Sequence, residues 1–290
     1  VSAAEVTGVH KGSTELSFIP RGVKGGDFAF DIGTAGSTPL VLQTVIPALL
    51  FAERKSTVTL TGGTHVPFSP SFHYLAEVFA PTLKTLGVEV RLAIDSYGFY
   101  PRGGGRVRAE IVPTKGLKPL RVAERGRVIN VRGYSAVGNL PLSIAERQRD
   151  AALERIHGRL LHFKEGIGIE LLQAPTPGQG TFLFLRAEAE HSVAGFTALG
   201  ERGKRAEAVG SEAAAEFLNY YATDAALDPH LADQIVLYLS LCEGESVFST
   251  ASITPHLLTN LWVLGLFRKF RHDIDGEPGN SGKIRMNFHS

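Results

Sequence analysis

The chain has 290 residues, 43% of them hydrophobic, enough for one large domain or two smaller ones around a packed core. Thirty basic residues against 29 acidic ones leave a net charge near +1, which excludes global attraction to nucleic acid or membrane, so any polyanion must be held locally. The single cysteine, Cys242, excludes an intramolecular disulfide and a cysteine-rich zinc site, and it fits a reducing cytosolic or nuclear compartment.

In chain order, "STELSFI" and "GDFAFDI" read as strands separated by the Pro/Gly turn "PRGVKGG". A helix is expected from about Pro39 to Ala52, then a strand "STVTLT", then a helix from about Pro70 to Leu86. Two more strands, "VEVRLAI" and "RVRAEIV", flank the glycine-rich "YGFYPRGGG", which completes a βαβαββ order. From about Glu124 to Lys204 the character changes. "GRVINVRGYS", the charged helical run "SIAERQRDAALERIHGRL", and the strands "IGIELLQA" and "TFLFLRAEA" around "PTPGQG" form a compact α+β pattern. We read residues 124–204 as an inserted small domain and residues 1–123 and 205–290 as the large one.

The C-terminal part returns to the first order, with helices from Pro229 and Pro255 around the strand "SVFSTAS", then "FRKFRHDI" and "KIRMNFH" as a hairpin. Four helices are expected to open on a capping residue followed by proline: Thr38-Pro39, Ser69-Pro70, Asp228-Pro229 and Thr254-Pro255. The most apolar runs are too short and interrupted to span a bilayer, and no signal-peptide pattern is present. The chain opens on "VSAAEVTG", not on methionine.

If Thr254 caps its helix, His256 is the second helical residue, with Thr259 and Asn260 on its face and Leu257, Leu258, Leu261 and Trp262 on the apolar side. Unpaired N–H groups and the positive end of the helix dipole favour an incoming phosphate there. An imidazole lone pair beside such an end suits attack on phosphorus; an incidental exposed histidine is an equal reading of these residues alone. The helix at Pro229 repeats the arrangement, with His230, Asp233 and Gln234 on one face, suited to a base, a metal ion or a ribose hydroxyl, or simply to solvent. "DIGTAGSTPLVLQT" is a weak anion-cradle signal, and "YPRGGGRVR" sets Arg102, Arg106 and Arg108 around three glycines that a hairpin turn explains equally well. "TGGTHVPFSPSFHYL" brings His65, Pro70, His73 and Tyr74 together without the spacing of a catalytic zinc site.

Taken together, "GTAGSTPLVLQTVIPALL", "TGGTHVPFSPSF", "GFYPRGGG", "HLADQ" and "HLLTN" resemble, in order, the RNA 3'-terminal phosphate cyclase family. The resemblance implies an α+β fold of repeated βαβαββ units like those of the translation initiation factor 3 C-terminal domain, with a smaller inserted α+β domain. It also implies ATP and a divalent ion, magnesium or manganese, as cofactors. A histidine attacks the α-phosphate to give histidine-AMP, and the AMP passes to the 3'-phosphate of RNA. The 2'-hydroxyl then closes a 2',3'-cyclic phosphate. The matching nucleophile is His256. Matching nucleotide contacts are Gln43 and the strip His230, Leu231, Ala232, Asp233 and Gln234, in which His230 stands where many relatives carry tyrosine. Pro70 is implied as the opposing face of the adenine stack and Tyr74 as its neighbour, while Arg102 and Arg106 are candidates for holding RNA. The family opens on a segment of the type "DGxxGEGGGQ", which supplies part of the phosphate and metal site and has no counterpart in this chain, and the resemblance implies that "VSAAEVTG" is the end of a helix that the family places further along.

Two other functions compete with this one. A non-catalytic ribosome-biogenesis relative that binds RNA or protein is implied to lack the nucleophile, so His256 favours the enzyme. An enolpyruvyl transferase sharing the repeated fold would need a basic cluster for its anionic substrates, and none is evident.

Overall fold

The computed structural model describes residues 1–160 and 166–288. A short antiparallel hairpin, β1 (Glu5–Thr7) with β2 (Ser17–Ile19), leads into a unit built from β3 (Asp27–Asp31), α1 (Thr38–Leu49), β4 (Ser56–Gly62), a broken helix, β5 (Glu89–Ser96) and β6 (Gly105–Val112). Its sheet runs β3-β4-β6-β5, with β3 and β4 parallel and the other pairs antiparallel. β7 (Arg121–Val122) follows. A second sheet then forms from β8 (Val128–Gly138), β9 (Ile167–Gln173), β10 (Gly180–Ala189) and β11 (Val193–Leu199), in the order β11-β10-β8-β9. It is accompanied by α4 (Leu142–His157) and α5 (Ala206–Tyr221). The chain closes with α6 (Pro229–Leu239), β12 (Gly244–Thr250), α7 (Pro255–Phe267), β13 (Arg271–Asp275) and β14 (Gly282–Phe288).

β7, although it precedes the second sheet, pairs in parallel with β12, and the third sheet runs β7-β12-β14-β13. The first and third sheets therefore share one strand order, with the first two strands parallel and the closing hairpin returning beside the second strand. The molecule is a mixed α+β fold with its helices against the sheets.

Amphipathic spacing places the helices. Leu42, Ile46 and Leu49 recur at helical intervals on α1 and are fully buried, as are Leu231, Ile235 and Leu239 on α6. These faces share one core with Phe182 and Phe184 of β10, so the second sheet packs on the first unit. A separate core lies between β8–β11, α4 and α5. There Gly210 lets the two helices meet, since a Cβ on it would stand 2.0 Å from the Gln148 carbonyl oxygen. No described helix is long and apolar enough to cross a membrane.

Several expectations change. "VSAAEVTG" is not a helix end: Glu5–Thr7 is a strand paired with β2. The helix expected from Pro70 to Leu86 breaks into α2 (Phe72–Tyr74), a π-helical turn over Leu75–Phe79, and α3 (Ala80–Thr85). Pro81 has no N–H for the Glu77 carbonyl, which instead accepts from Arg186 Nε of β10 at 3.1 Å. Two caps also move. Ser37, not Thr38, caps α1 by accepting from the Leu40 N–H, while the Thr38 hydroxyl donates to the Gly63 carbonyl. Ser71, not Ser69, caps α2, because the Ser69 hydroxyl is turned back to the Val66 carbonyl. Asp228 and Thr254 cap α6 and α7 as expected.

Candidate active site

A cleft of about 420 Å³ lies between α1, α6 and α7, with Pro70 and Phe79 on its wall. Leu40, Leu237, Tyr238, Val263 and Leu264 give it apolar sides, and Gln43, Asp233, Gln234, His256 and Asn260 give it polar ones. The helices meet here because their caps hold them. The Thr254 hydroxyl accepts from the Leu257 N–H at 3.0 Å and donates to Asp233 Oδ1, so one side chain both starts α7 and ties it to α6. The Asn260 amide donates to the Asp233 backbone carbonyl at 2.7 Å, and Gln43 Nε2 donates to Gln234 Oε1 at 2.6 Å. Arg268, just past α7, donates to the Ser240 carbonyl past the end of α6, so α6 and α7 run in the same direction. Their positive N-terminal ends therefore lie together, the arrangement that favours an anion.

His256 is exposed on the second residue of α7 and lines the cleft. Asp233 beside it is buried, and burial raises its carboxyl above the ordinary carboxylate range. The Thr254 hydrogen bond and the ring charges of His230 and His256 oppose that shift. Of the residues expected around a nucleotide, Gln43, Pro70, Asp233, Gln234 and His256 are brought together in this cleft.

The others are not. His230 is exposed on the first turn of α6, outside the cleft lining. Leu231 and Ala232 have their side chains in the core, since Leu231 shares the apolar face of Ile235 and Ala232 that of Val236. Tyr74 is also buried. Its hydroxyl donates to Asp228 Oδ1 at 2.8 Å, so it supports the α6 cap from behind. Asp228 accepts from the N–H groups of Leu231 and Gly195 as well; burial raises its carboxyl, against the pull of the His230 charge and these donors. Burial raises the Tyr74 hydroxyl too, with the Asp228 charge adding to it.

Arg102 and Arg106 lie outside the cleft lining, at the β5–β6 hairpin. Arg102 donates to the Pro177 carbonyl at 2.5 Å, and Arg106 faces Asp95 at 3.7 Å; both are exposed. His65 and His73 are structural, packed among Tyr97, Tyr134, Phe182 and Phe184. Among the described residues, no group of three or more His, Cys, Asp or Glu side chains is placed to hold a metal ion. The paired amides and the role of Asn260 escaped the sequence reading. Asn260 had one visible signal, its position one turn beyond His256.

Residues 1–274 match the family described as RNA 3'-terminal phosphate cyclase. A protein of that name from Methylococcus capsulatus is 44% identical over 98% of this chain and 80% of its own length. Namesakes from Pyrobaculum aerophilum and Ignicoccus hospitalis are 41% and 43% identical, over 95% and 98% of this chain and 79% and 80% of their own.

Proposed function

The chain belongs to the RNA 3'-terminal phosphate cyclase family, and we propose on that premise that it converts an RNA 3'-phosphate into a 2',3'-cyclic phosphate at the expense of ATP. The observation that carries the reading is His256 at the N-terminus of α7, facing a cleft with apolar walls and paired amides. In the first step a His256 ring nitrogen attacks the α-phosphorus. The N–P bond forms as the bond to the bridging oxygen breaks, and pyrophosphate leaves with the electron pair. An oxygen of the RNA 3'-phosphate then attacks the same phosphorus and displaces the imidazole. The neighbouring 2'-hydroxyl finally attacks the 3'-phosphorus, loses its proton and expels AMP.

For the nucleotide, Gln43, Asp233 and Gln234 supply polar contacts, Pro70 on the cleft wall supplies one face of an adenine stack, and His230, exposed on the first α6 turn outside the lining, the other. Leu231 and Ala232 contribute through the backbone of the first α6 turn, and Tyr74 by holding the Asp228 cap. Arg102 and Arg106 are the proposed contacts to RNA phosphates, sufficient for a short terminal segment at a net charge near +1. The described residues do not form a metal cage by themselves. A magnesium or manganese ion fits only as a companion of the ATP phosphates, which such ions commonly bind through one or two carboxylates, and Asp233 is the carboxylate on the cleft wall.

We further read the first and third sheets as units of the kind found in the translation initiation factor 3 C-terminal domain, a reading supported by their common strand order. Residues 124–204 are read as an inserted small domain and 1–123 with 205–290 as the large domain, with α5 packed on the inserted sheet. The single buried thiol, Cys242, fits a cytoplasmic setting. The test is to incubate the chain with ATP, magnesium or manganese, and an RNA ending in a 3'-phosphate. The expected product has an end resistant to phosphatase, formed with release of AMP and pyrophosphate; an end that stays phosphatase-sensitive with either ion contradicts the reading.

A further inference from the structure

We propose that Asn260 is a positioning residue for His256, acting through Asp233; the proposal rests on the nucleophile reading above. Packing anchors α7 only weakly. Leu257 and Leu261, one turn apart, are its fully buried side chains, whereas Trp262, Leu266 and Phe267 are 65%, 65% and 86% exposed. A single line of apolar contact fixes where the helix lies but resists rotation about that line poorly. Rotation would carry His256 along an arc, since its ring projects from the side of the helix.

Two polar tethers oppose that motion, and both end on one residue of α6. Thr254, two positions before His256, donates its hydroxyl to Asp233 Oδ1; Asn260, four positions after, donates its amide to the Asp233 backbone carbonyl at 2.7 Å. The nucleophile is thus clamped on both sides along the chain. Asp233 is itself only 8% exposed and sits inside α6, whose apolar face is fully buried. It gives the tethers a rigid base. Attack on phosphorus needs the ring nitrogen within about 3–3.5 Å and in line, and a misplacement of about 1 Å costs on the order of 100-fold in rate. Losing the Asn260 bond therefore slows nucleophilic attack without removing a nucleotide contact.

The decisive measurement follows the rate at which the chain takes up label from ATP labelled at the α-phosphate, alongside the ATP dissociation constant. Asn260→Leu keeps the shape and removes the donor. It is expected to slow labelling at saturating ATP by about 10- to 100-fold, with ATP affinity changed less than about threefold. Should Asn260→Leu not fold, Asn260→Asp, which keeps the size and removes the same donor, gives the same test with the same expected slowing. Weakened ATP affinity at an unchanged labelling rate would make Asn260 a nucleotide contact and overturn the proposal, as would unchanged values of both. Labelling of the unaltered chain, lost in His256→Ala, shows that the underlying reading stands whichever way Asn260 falls. An unaltered chain that takes no label overturns both.

Discussion

Gln43 of α1 and Gln234 of α6, 191 positions apart, meet side chain to side chain at 2.6 Å on the wall of the cleft. Each amide retains hydrogen-bonding capacity beyond this bond, so the pair can present a donor and an acceptor to a bound base or ribose. Gln43→Ala and Gln234→Ala should each weaken ATP binding by about tenfold, the cost of roughly one hydrogen bond to a ligand. Because each amide orients the other, the double variant should be no worse than about the stronger single one. Calorimetric titration with ATP checks this; strictly additive losses would mean that the two amides act separately.

The glycine-rich loops make a prediction about stability. The Gly98 carbonyl accepts from the N–H groups of both Thr64 and His65, at 2.8 and 3.1 Å, and a Cβ on Gly98 would stand 2.0 Å from the Gly62 carbonyl oxygen. The obstruction is backbone and cannot rotate away. Gly98→Ala should cost about 3 kcal/mol, at the upper end of ordinary overpacking, measured by denaturant unfolding. Gly116→Ala, where nothing lies within 4 Å, should stay within about 0.5 kcal/mol of the unaltered chain.

His65 gives the fold a pH dependence. Its ring is 2% exposed and stacks on Phe182 at 4.1 Å; Nδ1 lies 2.9 Å from the Thr64 hydroxyl, and Nε2 is buried without a partner. Burial first, and the neighbouring His73 second, hold its pKa well below the ordinary 6.5. The unfolded chain therefore binds this proton more readily than the folded one. The contribution is complete above pH 6.5 and is lost as the pH falls below it, at up to about 1.4 kcal/mol per pH unit. His65→Phe, which keeps a stacking ring, should flatten the stability profile between pH 6.5 and 5. Equal slopes in the two proteins would contradict the assignment.

Much of this architecture is legible in the sequence, and the gaps have physical causes. β4 and β6 of the first sheet alternate clearly, and the Asp228 and Thr254 caps stand directly before their helices. α5 escapes although Val209, Ala213, Phe217 and Tyr220 recur at helical intervals on its buried face: four of its seven buried residues are alanine or glycine, so the apolar stripe is thin. β7 is two residues long and gains its place only by pairing with β12 across the whole intervening sheet.

The site divides in the same way. His256, Gln43 and Gln234 are visible as motifs, and their convergence on one cleft comes from tertiary packing. Leu231 and Ala232 belong to a motif yet face the core; the spacing to Ile235 and Val236 carries that signal. Tyr74 looks like a site residue, but its hydroxyl is committed to Asp228, a pairing between residues 154 positions apart that no local pattern reveals.

The central claim is that His256 is the nucleophile. The most direct measurement is to mix the chain with ATP labelled at the α-phosphate and magnesium or manganese, without RNA, and to look for label held on the denatured protein. The account predicts acid-labile, alkali-stable label, as a phosphorus–nitrogen bond to histidine requires, and its complete loss in His256→Ala. Undiminished labelling of His256→Ala would contradict it.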